Sequence, residues 1–202
     1  MKETKTTEIN CGIMLTEYTD GLLFGTDALL LSHFVKGGKH KKGVDIGAGS
    51  GPISLILLAE DKAAYMTGVE IQPEYALLSE MNANQNGFAS RYKAVCGDAN
   101  NIKELLDAET ADFVVSNPPF MKAAAGKHNL SLSKSIARHE EYLPPNSLCA
   151  AAAYLLKYGG SFYVVYRPDR LTELMAALRE HKLEPKRMMF VHADAESEPS
   201  MV

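Results

Sequence analysis

Asn117-Pro118-Pro119-Phe120 follows the run Phe113-Val114-Val115-Ser116, and its residue types suit one task. Two prolines remove two backbone donors and hold the chain extended. The carbonyls of so rigid a turn can be aimed at a ligand. The Asn117 side-chain oxygen and the Pro118 carbonyl then form a fork that accepts two N–H bonds from a planar amine. Phe120, an aromatic ring beside the fork, offers a stacking surface for a base. A rigid turn with a core phenylalanine is the structural alternative.

Upstream lies Asp45-Ile46-Gly47-Ala48-Gly49-Ser50-Gly51-Pro52. Glycines let a backbone turn tightly and approach a ligand closely, and a helix behind the turn offers free N–H groups to an anion. The spacing is GxGxG, not the GxGxxG of dinucleotide sites, so alone it also fits a plain strand–helix turn. Glu70 follows 19 residues after Gly51, where an acid can accept both hydrogen bonds of a ribose diol. Asp98, after Cys96-Gly97, is placed to accept from an adenine amine. It serves equally as an N-cap for a helix near Ile102.

These residues share a position in the chain: each follows a short apolar run. Strands are expected at Gly43–Ile46, Tyr65–Val69, Tyr92–Cys96, Asp112–Ser116, Ser161–Tyr166 and Met188–Val191. Helical patterns fall at Ile53–Glu60, Glu74–Asn86, Ile102–Leu106, Leu148–Lys157 (stopped by Gly159-Gly160) and Leu171–Glu180. Strands spaced by helices predict βαβ units and a mostly parallel sheet with helices on both faces. Ligands of such sheets lie at the carboxyl ends of the strands, where the strand order switches.

The 202 residues fit one domain, and 46% apolar with 23% charged residues is ordinary for a globular protein. Twenty-one basic against 25 acidic residues, net −4, exclude a whole-molecule basic field, so nucleic acid would need a local patch. The longest apolar run, Leu148 to Leu156, is too short to span a bilayer, and the polar Met1–Asn10 segment has no signal-peptide core. Cys11, Cys96 and Cys149 form no metal-ligand pattern, so neither a metal nor a membrane is expected.

Asp45 to Gly51, Glu70, Asp98 and Asn117 to Phe120 together resemble the class I S-adenosylmethionine-dependent methyltransferases that methylate a planar amine. Within that class the chain resembles the bacterial tRNA(Val) adenine-N6 methyltransferase family. Phe24-Gly25-Thr26-Asp27 with Ala28-Leu29-Leu30 is similar to that family's segment lining the methionine end of the cofactor. Arg138-His139-Glu140 and Tyr166-Arg167-Pro168 match further elements. Phe120 stands where many members of the wider class have Tyr.

The resemblance implies a Rossmann-like sandwich, S-adenosyl-L-methionine as cofactor, tRNA as substrate and a cytoplasmic location. It implies cofactor contacts from Phe24, Gly25, Thr26, Asp27, Gly47, Gly49, Gly51, Glu70 and Asp98, with Asp45 bracing the glycine turn. Asn117, Pro118, Pro119 and Phe120 would be catalytic. Residues 1–42 would line the cofactor and substrate ahead of a core at 43–202.

RNA contact is expected from Lys122, Lys127, Lys134 and Arg138, an acid-free stretch beside the proposed base pocket. Lys36, Lys39, Lys41 and Lys42 form a second cluster, which a solvated loop also explains, and Lys186-Arg187 a third. Rival readings are a ribosomal RNA guanine-N2 methyltransferase, a release-factor glutamine methyltransferase and a non-enzymatic nucleotide-binding module. The seven-stranded plan of the class places the last, antiparallel strand after the acidic stretch Ala193–Ser200, so Met201-Val202 would open a strand that is otherwise missing, as in a truncated chain.

Overall fold

A computed structural model describes residues 2–21, 23–118 and 143–202. Its centre is a five-stranded sheet made of β3 (Lys42–Ile46), β4 (Tyr65–Glu70), β5 (Tyr92–Cys96), β6 (Ala111–Ser116) and β7 (Leu156–Val164). The spatial order is β5-β4-β3-β6-β7 and every neighbouring pair is parallel. The chain builds outward from β3 to β5, then returns to lay β6 on the other side of β3. The order therefore switches between β3 and β6, and the crevice belongs above their carboxyl ends.

Alternation along the strands feeds two apolar layers. Met66, Phe113 and Val115 face one, with α2 (Pro52–Ala59) and α1 (Thr26–Phe34); Val44, Ile46, Val69 and Val114 face the other, with α4 (Ile102–Leu105) and α5 (Pro145–Leu155). Leu55 to Leu58 on α2 are all fully buried. A helix apolar on every side must be covered on every side. The sheet lies on one flank of α2, and α1 and the N-terminal strand β2 (Ile13–Tyr18) lie on others. α3 (Pro73–Gln85) packs against β4 and β5, and α6 (Leu171–Glu180) against α5.

The N-terminal segment holds a hairpin that the sequence did not suggest, β1 (Thr4–Ile9) paired antiparallel with β2 (Ile13–Tyr18). β1 is exposed almost throughout, so it carries no apolar alternation to read. β2 does alternate: Ile13, Leu15 and Glu17 point inward. It is tied down by two helix amides. Thr16 N–H donates to Asn82 Oδ1 at 2.9 Å and Asn82 Nδ2 returns a bond to Thr16 O at 2.9 Å. Asn86, one turn on, repeats this with Met14 at 2.8 Å each way. The two asparagines stand in for a neighbouring strand.

Two expectations need correction. The helix expected at Leu148–Lys157 is α5, Pro145–Leu155, and Lys157 to Gly160 already belong to β7. Gly159, at φ 78, is a kink in that strand and not a helix stop. The strand expected at Met188–Val191 is β8, Val191–His192, with Met188 to Phe190 outside it and partly exposed. As expected, the C-terminal residues open a short antiparallel strand, β9 (Pro199–Met201), which pairs with β8 apart from the central sheet. Met201 pairs with Val191, while Val202 and Tyr166 exchange two backbone bonds of 2.7 and 2.9 Å.

Candidate functional site

Above the switch point lies a cavity of about 280 Å³, open to solvent. Gly47 and Gly49 line it at φ 78 and 55, in the left-handed region where a Cβ is strained. A Cβ there would meet nothing within 4 Å. The turn therefore presents bare backbone to the cavity. Its position is fixed from the sheet, since Gly47 and Ala48 N–H both donate to Val69 O, and Gly49 N–H donates to Glu70 Oε2 at 2.9 Å.

Glu70, at the carboxyl end of β4, is buried and also accepts from Gln72 N–H at 2.9 Å. Each carboxylate oxygen has two acceptor sites, and the Gln72 side chain also bonds the group, so one site remains for a hydroxyl in the cavity. Burial raises the Glu70 pKa, against the two backbone bonds that lower it. Asp98 lines the cavity beyond β5 and caps the following turn, accepting from Asn100 N–H at 2.9 Å and Asn100 Nδ2 at 2.7 Å. Both bonds fall on Oδ1. The capping alternative is thus realised, and the same residue lines the cavity.

Asp45 does not line the cavity. It is fully buried beneath the glycine turn, where Ser54 Oγ donates to its Oδ2 at 2.9 Å and Oδ1 has no partner. Burial pushes its pKa up to about 7. Among other sequence-selected residues, Gly51 and Thr26 stand outside the lining. Gly51 N–H closes the turn onto Ala48 O, and a Cβ on it would press 3.2 Å from Ser79 Cβ.

Phe24, Gly25 and Asp27 do line the cavity, beside Asn117 at the end of β6. Asn117 Nδ2 donates to Asp27 Oδ2 at 2.8 Å. Asp27 sits in the first turn of α1, where the helix dipole favours a carboxylate. Gly25 gives it room, since a Cβ there would stand 2.6 Å from Asp27 Oδ1. Asn117 Oδ1 is buried and has no partner. Pro118 is buried beyond it. Pro119, Phe120, Lys122, Lys127, Lys134, Arg138, His139 and Glu140 lie outside the described residues.

Sequence reasoning missed Glu17, Ser50, Gln72 and Tyr75, which also line the cavity. The inward alternation of Ile13, Leu15 and Glu17 was the available signal. Among the described residues the lining holds four carboxylates (Glu17, Asp27, Glu70 and Asp98) and no Lys, Arg or His. Such a site suits a cationic ligand. The Lys36–Lys42 cluster belongs to the opposite end of the sheet, where Lys42 opens β3 and Lys39 pairs with Asp61 at 3.3 Å. Arg187 stacks 3.8 Å over the Phe34 ring. Among the described residues no group of three metal-ligating side chains occurs, and no helix is long and apolar enough to cross a membrane.

The switch-point cavity, its glycine turn and the acids after β4 and β5 define a Rossmann-like class I methyltransferase domain. The chain belongs to the methyltransferase small domain family, whose profile matches residues 19–184. It is 31% identical over 184 residues to a Porphyromonas gingivalis protein named tRNA1(Val) (adenine(37)-N6)-methyltransferase, covering 88% of this chain and 71% of that one. A protein of the same name from Shewanella sp. is 28% identical, over 91% of this chain and 73% of the relative.

Solved structures share the fold. A predicted O-methyltransferase from Agrobacterium tumefaciens matches with TM-score 0.66 and 19% identity, over 87% of this chain and 77% of that one. Geranyl diphosphate C-methyltransferase from Streptomyces coelicolor, solved with magnesium, geranyl diphosphate and S-adenosyl-L-homocysteine, matches with TM-score 0.60 and 15% identity, over 81% and 61%.

Proposed function

We propose that the protein transfers a methyl group from S-adenosyl-L-methionine to the exocyclic N6 amine of an adenine in tRNA, in the cytoplasm. The observation that carries this reading is Asn117 Oδ1, a buried acceptor without a partner, on a residue that lines a cavity with a glycine turn and four carboxylates. Relatives about 30% identical over most of the chain carry the corresponding name.

The donor set fits the cofactor. Glu70 keeps acceptor capacity for the ribose, Asp98 lies one strand further out for the adenine, and Gly47 and Gly49 present backbone toward the methionine side. When bound, the cofactor supplies an electrophilic methyl on a sulfonium. The rest falls to the chain. An adenine amine is a poor nucleophile because its lone pair is delocalised into the ring. Asn117 Oδ1 and the Pro118 carbonyl accept its two N–H bonds, which favours tetrahedral nitrogen and turns the lone pair toward the cofactor. The same acceptors stabilise positive charge developing on nitrogen, and holding the amine in line converts the encounter into a positioned step. Phe120 would stack on the captured ring, and Lys122, Lys127, Lys134 and Arg138 would hold the phosphates of a flipped-out loop nucleotide.

The test is incubation with labelled methyl donor and three substrates: bulk tRNA, ribosomal RNA and release factor. Label in tRNA, located at an adenine by digestion and mass spectrometry, is the expected outcome. Label confined to ribosomal RNA or to protein would overturn it.

A further inference from the structure

Glu17 is the one acid of the cavity with no part in the chemistry described above. It is 8% exposed, at an inward position of β2 that is fixed by the alternation with Ile13 and Leu15. Its Oε1 accepts from Phe24 N–H at 2.7 Å, and the Ser50 hydroxyl also bonds to its carboxylate. Among the described residues no Lys, Arg or His comes within ion-pair distance of it. An uncompensated carboxylate at this depth is expensive unless its site receives a cation, and burial does raise its pKa.

The location says which cation. Along the sheet the cavity runs from Asp98 beyond β5, past Glu70 on β4, over the glycine turn of β3, to Asn117 on β6. The two outer acids suit the adenosyl half of the cofactor. Glu17 bonds Ser50 of that turn and Phe24, three residues ahead of the Asp27 that holds Asn117, and so stands toward the amino-acid half. Its place is held by Asn82, whose Nδ2 bonds both Thr16 O and Ser50 O at 2.9 Å. Strand, turn and helix are thereby locked in one register. Asp27, the other acid at this end, already accepts from Asn117.

We infer that Glu17 receives the α-ammonium group of the cofactor and so makes a free amino group a requirement for binding. The inference rests on the cofactor reading above. Glu17→Gln keeps the side-chain oxygen for Phe24 N–H and removes only the charge, and Glu17→Asp keeps the charge but withdraws it by one methylene.

The experiment is calorimetric titration of the purified chain with S-adenosyl-L-homocysteine and with its deaminated analogue, which lacks only the amino group. Wild-type protein should bind the analogue at least tenfold more weakly. Glu17→Gln should bind S-adenosyl-L-homocysteine about tenfold more weakly than wild type while holding the analogue within twofold, and Glu17→Asp should fall between. Equal losses for both ligands would reduce Glu17 to a structural role and overturn the inference. So would equal affinity of the wild type for both ligands, a comparison that needs no variant to fold. Failure of the wild type to bind either ligand would instead overturn the cofactor reading, and the inference with it.

Discussion

Asp27 fixes the orientation of Asn117 across 90 residues of sequence: the amide Nδ2 donates to Asp27 Oδ2 at 2.8 Å. A carboxylate can only accept, so it must face the amide nitrogen. The oxygen is left as the unpartnered acceptor. An asparagine amide is otherwise free to rotate by half a turn, which would offer two donors to a substrate amine that itself needs acceptors.

Removing the acceptor should strike the chemical step. Asn117→Ala is expected to lower kcat by roughly 10- to 150-fold, from a hydrogen bond to a charging group of about 1.5–3 kcal/mol at ~1.4 kcal/mol per tenfold. Affinity for S-adenosyl-L-homocysteine should stay within about twofold, since each ~0.4 kcal/mol is a factor of two. Single-turnover kinetics with labelled donor measure the first, and calorimetry the second. Unchanged turnover would remove Asn117 from the catalytic reading.

Asp27→Asn tests orientation apart from acceptance. The new amide can donate or accept, so Asn117 is no longer held one way round. The expected loss is about tenfold in kcat, equivalent to one ordinary hydrogen bond, with KM for the RNA little altered. A rise in KM at constant kcat would point to substrate binding in place of positioning.

Asn82 is a structural bolt, fully buried and bonded to Thr16 and Ser50. Asn82→Ala strands one backbone N–H and two carbonyls. At about 1–3 kcal/mol for each unsatisfied buried group, partly relieved by water, a loss near 3 kcal/mol is expected. Urea denaturation measures it. A loss under about 0.5 kcal/mol, the range of ordinary surface changes, would mean that the hairpin is not anchored there.

Asp45 gives the fold a pH signature. Burial lifts its pKa from 3.8 to about 7, with Ser54 opposing and nearby Glu70 adding to the rise. The folded state then keeps a proton that the unfolded chain releases. Stability should fall as pH climbs from about 4 to about 7 and level off above. The full span is worth up to about 4 kcal/mol at ~1.4 kcal/mol per pH unit. In Asp45→Asn this contribution disappears, so its Tm relative to wild type should rise between pH 4 and pH 7.5. Parallel Tm curves for the two proteins would show that Asp45 stays ionised in the fold.

The central sheet and the residues at its strand ends were legible because their signals are local. A glycine turn after Ile46, an acid after Val69, and Asn-Pro-Pro after Ser116 each announce themselves within a few residues. What escaped depends on contacts far apart in the chain. The exposed strand β1 has no alternation, and β2 is held by Asn82 and Asn86 of a helix some 70 residues on. The Asp27–Asn117 bond has the same character. Gly159-Gly160 misled because a glycine pair usually stops a helix, whereas α5 ends at Leu155 and β7 starts at once.

The ring of four carboxylates around the cavity has a consequence for the direction of traffic through it. Methyl transfer turns a sulfonium into a neutral thioether, so the spent cofactor carries one positive charge fewer than the fresh one. A site lined by Glu17, Asp27, Glu70 and Asp98, without a lining cation among the described residues, is therefore expected to hold S-adenosyl-L-methionine more tightly than S-adenosyl-L-homocysteine. Calorimetric titration with both ligands checks this, and equal or tighter binding of the spent form would show that the lining acids do not sense the sulfonium charge.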